Sequence, residues 1–301
     1  MELRAQLHMH TTESKGTRVK MHSNIYPKTA IDILKKKNIQ VAAITDHDNT
    51  RAYPKIKDYA EKNGIILING IEITTRDGEI IGLNVEPGIE KEFNRKMSVL
   101  EARDIVLDHA GKILIPHPFD TMRHGIGKKI KDVKGTIEIF NPGNIFGFED
   151  KLAKIIAEKL NLPIVACSDA HWIDMIDRGI TVIDSEPDIN SIFKAIEKRK
   201  VRFENCRYTT WKEIKKWTFT RISDSYLDIM DHLKNGWEID TEYMKIANQG
   251  LIRLIQKKTL QSGISKPDNR TWSVISYIVF FLSNLYALRA RRKYGPFVFS
   301  L

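Results

Sequence analysis

His8-Met9-His10-Thr11 closes the segment Leu3 to Leu7, and both imidazoles fall two residues apart. If that segment is a strand, the two rings share one face and look into the same space. One His-x-His is weak by itself, because a surface ring and a packed ring also account for it. Recurrence gives it weight: His or carboxylate residues follow strand-like runs again at Asp46-His47, Glu72, His117, Glu138 and Asp169-Ala170-His171. Mixed imidazole and carboxylate donors suit borderline divalent metals. A carboxylate bridging two such cations lets them sit close together without prohibitive repulsion.

The elements that would carry these residues alternate. Pro27 opens a helix to Lys37, and Val41 to Ile44 is a short apolar strand running into Thr45-Asp46-His47-Asp48. A helix from Tyr53 stops at Asn63-Gly64, and Ile65 to Ile68 is a strand leading to Asn69-Gly70-Ile71-Glu72. Arg76-Asp77-Gly78 reads as a hairpin turn with Glu79 to Val85 as its return. The rhythm resumes with a helix from Ser98 to Ala110, then Ile113 to Ile115 before Pro116-His117-Pro118-Phe119-Asp120. Gly135 to Phe140 is a strand holding Glu138, with Asn141-Pro142-Gly143 after it. Phe148 to Leu160 is helical, Leu162 to Ala166 a strand, and Ile180 to Ile183 and Asp188 to Arg199 complete the series. Strand then helix, about seven times, implies a parallel α/β sheet with its ligand-type residues on the strand-to-helix side. Six converging loops favour a closed barrel, where that side is a single rim, over an open sheet.

The 301 residues suffice for one barrel-sized domain and an appendage. Two cysteines, Cys167 and Cys206, cannot build a disulfide framework, and the start carries no secretory pattern, so a cytoplasmic protein is expected. The net charge of +10 favours an anionic partner, a phosphate ester or nucleic acid, although solvated helix faces such as Lys35-Lys36-Lys37 also contribute.

Taken in order, His8-Met9-His10-Thr11, Thr45-Asp46-His47-Asp48, Gly70-Ile71-Glu72, His117-Pro118-Phe119 and Ser168-Asp169-Ala170-His171 resemble the motifs of the PHP (polymerase and histidinol phosphatase) family of metal-dependent phosphoesterases. The resemblance covers residues 1–206 and implies a distorted (β/α)7 barrel with two or three divalent ions, zinc, manganese or iron, at its rim. It implies that His8, His10, Glu72 and Asp169 hold one metal, that Glu72 bridges to a second on His117, and that His47 and His171 face a third. Asp46 is expected to orient a ligand, and Glu138 or Asn141 occupies a less defined position, with Glu138 a candidate ligand. Relatives carry an acidic residue where this chain reads Ser14-Lys15-Gly16. Glu13 or His22 would substitute, or Lys15 would bind substrate phosphate instead.

The implied reaction is hydrolysis of a phosphate ester, on a small phosphorylated molecule or nucleotide, by metal-bound hydroxide, with His47, Asp169 and His171 as catalytic residues and His171 the acid for the departing oxygen. Arg123, Arg178, Lys128 and Lys129 are candidates for holding phosphate. Competing readings are a nuclease using the same site on RNA or DNA, a non-catalytic nucleic-acid or complex subunit, and an amidohydrolase-type enzyme. For the last of these, no lysine stands where a carboxylated bridging ligand is expected.

Residues 207–301 read as a helical domain without ligand motifs. Ser223-Asp224 caps a segment to Lys234, and a second helix spans Glu242 to Gln261. Trp211, Trp217, Trp237 and Trp272 are expected to pack this part. The apolar run Trp272 to Leu288 is about 17 residues, the lower limit for a membrane span, and Arg289, Arg291, Arg292 and Lys293 behind it oppose the positive-inside tendency. A buried or homo-oligomer-forming helix is the expectation, not membrane attachment.

Overall fold

Among the described residues nine strands form one sheet that curls toward closure, in the order β7-β6-β5-β4-β3-β2-β1-β8-β9. The structure, a computed structural model, describes residues 1–14, 23–121, 123–144, 147–217 and 288–300. The strands are β1 (Glu2–Gln6), β2 (Val41–Ile44), β3 (Ile66–Thr75), β4 (Gly78–Leu83), β5 (Lys112–Ile115), β6 (Thr136–Phe140), β7 (Ile164–Ala166), β8 (Ile180–Asp184) and β9 (Val201–Glu204). Helices α1 (Pro27–Lys36), α2 (Ala52–Lys62), α3 (Val99–Asp108), α4 (Ile130–Val133), α5 (Phe148–Lys159) and α6 (Ile189–Glu197) connect them. Pro27 opens α1, and Ser98 and Glu101 close a capping box on α3.

Both faces of the sheet are buried. Along β2, Val41 and Ala43 enter one apolar cluster while Ala42 and Ile44 enter another, the two-residue period of a strand covered on both sides. The two halves of the sheet meet at the rim. Thr181 of β8 donates its hydroxyl to Ala166 O and accepts from Ala166 N–H, at 2.8 and 2.9 Å. Met9 bridges to Ala170 in parallel, His10 N–H donates to Ala170 O at 2.9 Å, and Ser168 N–H donates to the buried Gln6 side chain at 3.0 Å.

The sheet is mixed, which corrects the expectation of a parallel one. β1-β2-β3 and β5-β6-β7 are parallel, but β4 runs antiparallel to both β3 and β5, β8 runs antiparallel to β1, and β9 to β8. Between β7 and β8 the described helical structure is one short turn, Ile173–Met175, too short to carry the chain back along the barrel, so β8 returns in the opposite sense. After α6 the chain reverses at Arg199, in the left-handed region, and Asp184 N–H donates to Lys200 O, so β9 comes back beside the strand it left.

Contacts divide the chain into Met1–Thr210 with Ser283–Leu301, and Trp211–Leu282. Of the second unit the described residues are the helical stretch 211–217. In the first, helix 288–300 buries Ala290, Tyr294 and Val298, spaced four apart on one face, in the same cluster as Phe119, Ile126 and Ile130. The end of the chain is thus part of the barrel unit, whereas the sequence pattern placed it in a separate helical region. The expected helices at 223–234 and 242–261, Trp237, Trp272 and the run 272–287 lie outside the described residues. Among the described residues no helix is long and apolar enough to cross a membrane.

Tyr294 seats on Gly127, whose φ is +58° and whose missing side chain leaves room for the ring. Gly64 is also left-handed, with φ +73°, but faces open space. Gly64→Ala is therefore expected to cost only the conformational penalty, about 1–2 kcal/mol, and Gly127→Ala distinctly more, because its Cβ meets the ring. Denaturant midpoints of the two variants check this.

Candidate metal centre

The segments after β1 and β7, together with Glu72 inside β3, bring four donors together. His8 Nε2 and His10 Nε2 lie 3.2 Å apart, Glu72 Oε2 is 3.4 and 3.1 Å from them, and Asp169 Oδ1 is 3.3 and 3.1 Å from them. Metal–ligand bonds of 2.0–2.1 Å in a tetrahedron place ligands about 3.3 Å apart. Glu72 also approaches His47 Nδ1 at 3.3 Å and His117 Nε2 at 3.4 Å, so one carboxylate stands among four imidazoles. Yet neither Glu72 oxygen has a hydrogen-bond partner, although both are buried. A buried carboxylate left so is costly, and divalent cations supply the missing partners. The residues present fit such ions.

Burial pushes the Glu72 carboxyl up, but the surrounding His47, His8 and His10 outweigh it and hold it well below the usual carboxylate range. For His10, burial works downward while the Asp169 and Glu72 carboxylates raise it to about 9. Burial lowers His47 to about 4, leaving its imidazole neutral and able to ligate near neutral pH.

Supporting residues set the rings. His8 Nδ1–H donates to Glu138 Oε1 at 3.0 Å, which turns Nε2 toward the cluster. Glu138 Oε2 accepts from His117 N–H at 2.7 Å and Asn141 Nδ2 at 2.9 Å, so both of its oxygens are engaged behind the donors. Glu138, a candidate ligand from the sequence, thus has its two oxygens hydrogen-bonded to His8, His117 and Asn141. Asp46 accepts Thr11 N–H and Oγ1–H, at 2.6 and 2.7 Å, and so pins the first motif. His171 Nδ1–H donates to Asp169 O at 2.8 Å.

A residue missed in the sequence joins the second grouping. Glu72, Glu79 and His117 each offer a donor atom within 4.8 Å of the others. Glu79 is buried, and burial together with the Glu72, Asp169 and Asp48 carboxylates raises its carboxyl well above the usual range. The signal was the hairpin register: Glu79 pairs with Thr74 and Ile81 with Glu72, so Glu72 and Glu79 share a sheet face as diagonal neighbours. His10, His47 and His171 form a third grouping, with the His10 ring 4.6 Å from His47 and 4.4 Å from His171. Glu13 does not reach it; its carboxylate is 2.6 Å from Lys55 Nζ and 3.7 Å from Arg51. Lys15 and His22 lie outside the described residues.

Of the basic residues expected to hold phosphate, Arg123 instead braces the cluster. It bonds Asp169 Oδ2 at 2.7 Å and Asp120 at 2.6 Å, with Asn141 at 3.1 Å and Asn144 at 2.7 Å. Arg178 is buried and donates to Thr209 Oγ1 at 3.3 Å. Lys128 and Lys129 are exposed, Lys129 lying 3.5 Å from Asp77.

Comparison with known proteins agrees with this geometry. Residues 149–201 match the PHP-associated family model. An uncharacterized protein of Methanocaldococcus jannaschii, MJ1587, is 31% identical over 163 residues, 52% of this chain and 93% of that one. A two-domain protein from Bacteroides vulgatus, containing a predicted PHP-like metal-dependent phosphoesterase, superposes with a TM-score of 0.56 at 17% identity, over 73% of this chain and 70% of that one. The chain belongs to the PHP family. Within this PHP chain, 86 residues are also 34% identical to the 5'-3' exoribonuclease Rnm of Salmonella typhimurium, 27% of each protein.

Two predictions follow from the PHP site's arrangement. Glu72→Gln is expected to abolish stoichiometric divalent-metal binding, whereas Glu138→Gln retains it with affinity weakened 10–100-fold; elemental analysis and metal titration distinguish them. Beside the Arg123 network, burial raises Glu149 to about 7, and its Oε2 lacks a hydrogen-bond partner. The folded state therefore favours the protonated carboxyl, and stability is lost as pH rises from about 4.5 through 7. Glu149→Gln should be more stable than the natural protein at pH 8 by on the order of 2 kcal/mol, with the gain shrinking several-fold by pH 5 in urea titrations.

Proposed function

We propose that this chain is a metal-dependent phosphoesterase acting at the barrel rim. The observation that carries the reading is the buried Glu72 carboxylate, lacking hydrogen bonds and surrounded by four imidazole nitrogens at 3.1–3.4 Å. His8, His10, Glu72 and Asp169 would hold one cation, Glu72, Glu79 and His117 a second, and His47 and His171 would contribute to a third. Zinc, manganese and iron all match the donors. Bound there, the cations supply Lewis acidity to phosphoryl oxygens and lower the pKa of coordinated water.

The protein's own groups do the rest. Glu138 fixes the His8 tautomer through Nδ1–H, and Arg123 holds the Asp169 carboxylate at the angle that presents Oδ1 to the rings. Because His171 Nδ1–H is committed to the Asp169 carbonyl, Nε2 is the remaining ring nitrogen: it would be a ligand where a third cation is bound, and would deliver a proton to the departing oxygen where the site holds two cations. The substrate is a phosphate ester, either on a small phosphorylated molecule or nucleotide or within a polynucleotide; the local similarity to an exoribonuclease supports the polymer. A reducing, cytoplasmic setting suits the free thiols of Cys167 and Cys206.

The test is a metal-screened activity panel over an aryl phosphate, mononucleotides and single-stranded RNA, run with Asp169→Asn in parallel. Supporting residues around metals are worth 10–100-fold, so loss of this donor should cost more than about 100-fold. Unchanged turnover in that variant would remove the assignment.

A further inference from the structure

We propose that the exposed basic surface shared by residues 128–134 and the outer face of helix 288–300 binds the phosphates of a single nucleic-acid strand beside the metal centre. This deepens the phosphoesterase reading and rests on it for the fate of the bound strand. The C-terminal helix carries Arg289, Arg291, Arg292 and Lys293, all exposed, and no acidic residue. The facing stretch carries Lys128, Lys129, Lys131 and Lys134 against Asp132. Eight cations and one carboxylate thus stand in two short stretches of a chain whose whole excess is +10.

The two stretches are fixed to each other. Tyr294 seats on Gly127, and Phe297 lies under Lys128 and Lys131, whose ammonium groups are 5.7 and 5.1 Å from its ring centre. On the other side Lys159 Nζ donates to Phe299 O at 3.2 Å, and Arg291 lies 5.7 Å from the Phe148 ring. Phe299 is 66% exposed among these cations. Cations that follow a backbone, together with an exposed aromatic ring on which a base can stack, are what sequence-tolerant binding of single strands requires.

The surface also leads to the centre. The loop that precedes it holds His117 and Arg123, and His124 O accepts the N–H of Glu79 at 2.8 Å. The lysines thus follow directly in the chain on the loop that supplies His117 and Arg123, and that loop is tied to the strand carrying Glu79. A lipid surface fits less well, because Ala290, Tyr294 and Val298 are spent on the barrel, and Leu288 and Phe299, at opposite ends of the helix, are its exposed large apolar residues.

The experiment uses the full chain in EDTA, with fluorescence anisotropy of a labelled single-stranded RNA of about 20 nucleotides, long enough to cover a site of this kind. Turnover of bis(p-nitrophenyl) phosphate by the metal-loaded protein is measured separately. Arg289→Glu/Arg292→Glu should weaken RNA binding at least tenfold and lower the slope of log affinity against log salt by about 1.4, two phosphate contacts at 0.7 each. Aryl phosphate turnover should be unchanged, and the milder Arg289→Ala/Arg292→Ala should fall between. Binding that persists in a protein with no turnover would support the surface and remove the catalytic reading. Equal RNA binding by natural and charge-reversed proteins would overturn the surface, as would binding to phosphatidylserine vesicles with none to RNA.

Discussion

A buried anion without hydrogen-bond donors sits at the middle of this molecule, and much of the rim can be understood as what it takes to keep it there. Glu72 lies inside β3 and not beyond its end, and its carboxylate is buried. Four imidazoles arrive from three other segments, and the His8 ring is in turn held by a group one step further out. Glu138 is that group: one oxygen sets the His8 ring while the other accepts from the His117 backbone, so a single carboxylate registers two donors from different strands. Such an arrangement has strong mutual repulsion among its acids, visible in the upward push on Glu79, and it makes chemical sense as a cradle for cations.

Holding those donors demands unusual backbone. His117 and Asp169 both have positive φ, at +26° and +48°, where side chains other than glycine's are seldom found. His117 stands two residues past β5 and Asp169 three past β7, where the chain turns at the barrel mouth. Closure of the sheet at the same end, through Gln6 and the Met9–Ala170 bridge, over-determines those turns. Asp169 stands next to that bridge, so the rim that binds is also the seam that closes the barrel.

A second layer of support comes from parts of the chain that carry no ligand. Tyr208 packs on Gly147 and 5.1 Å from the Phe140 ring, while Tyr294 packs on Gly127 and 5.3 Å from Phe119. These two tyrosines press on two loops, 141–147 and 117–127, and Arg123 ties those loops together by bonding Asp120 on one and Asn141 and Asn144 on the other. From Arg123 the chain of contacts ends on Asp169. The residues flanking Trp211–Leu282 on both sides are thereby built into the frame of the site.

How far the residues alone could be read follows from what each signal depends on. Strands and helices of the first 200 residues were legible because apolar period, proline and glycine stops and capping residues act locally, and the ligand types were legible because they recur at strand ends. His8, His10, Glu72, His117 and Asp169 needed only that argument to be named. Three things needed the third dimension. The hairpin at Arg76-Asp77-Gly78 gave the direction of β4, but strand direction at β8 and β9 depends on how far each connection can reach, which one-dimensional alternation does not encode. The roles of Glu138, Arg123 and Arg178 depend on which neighbour consumes their polar atoms, and that neighbour is distant in sequence in every case. Glu79 belongs to the cluster only through cross-strand register, and the last helix belongs to the barrel only because three of its apolar residues find Phe119, Ile126 and Ile130. Composition and spacing determined which chemistry the chain could perform; packing between distant segments decided which side chains are left to perform it.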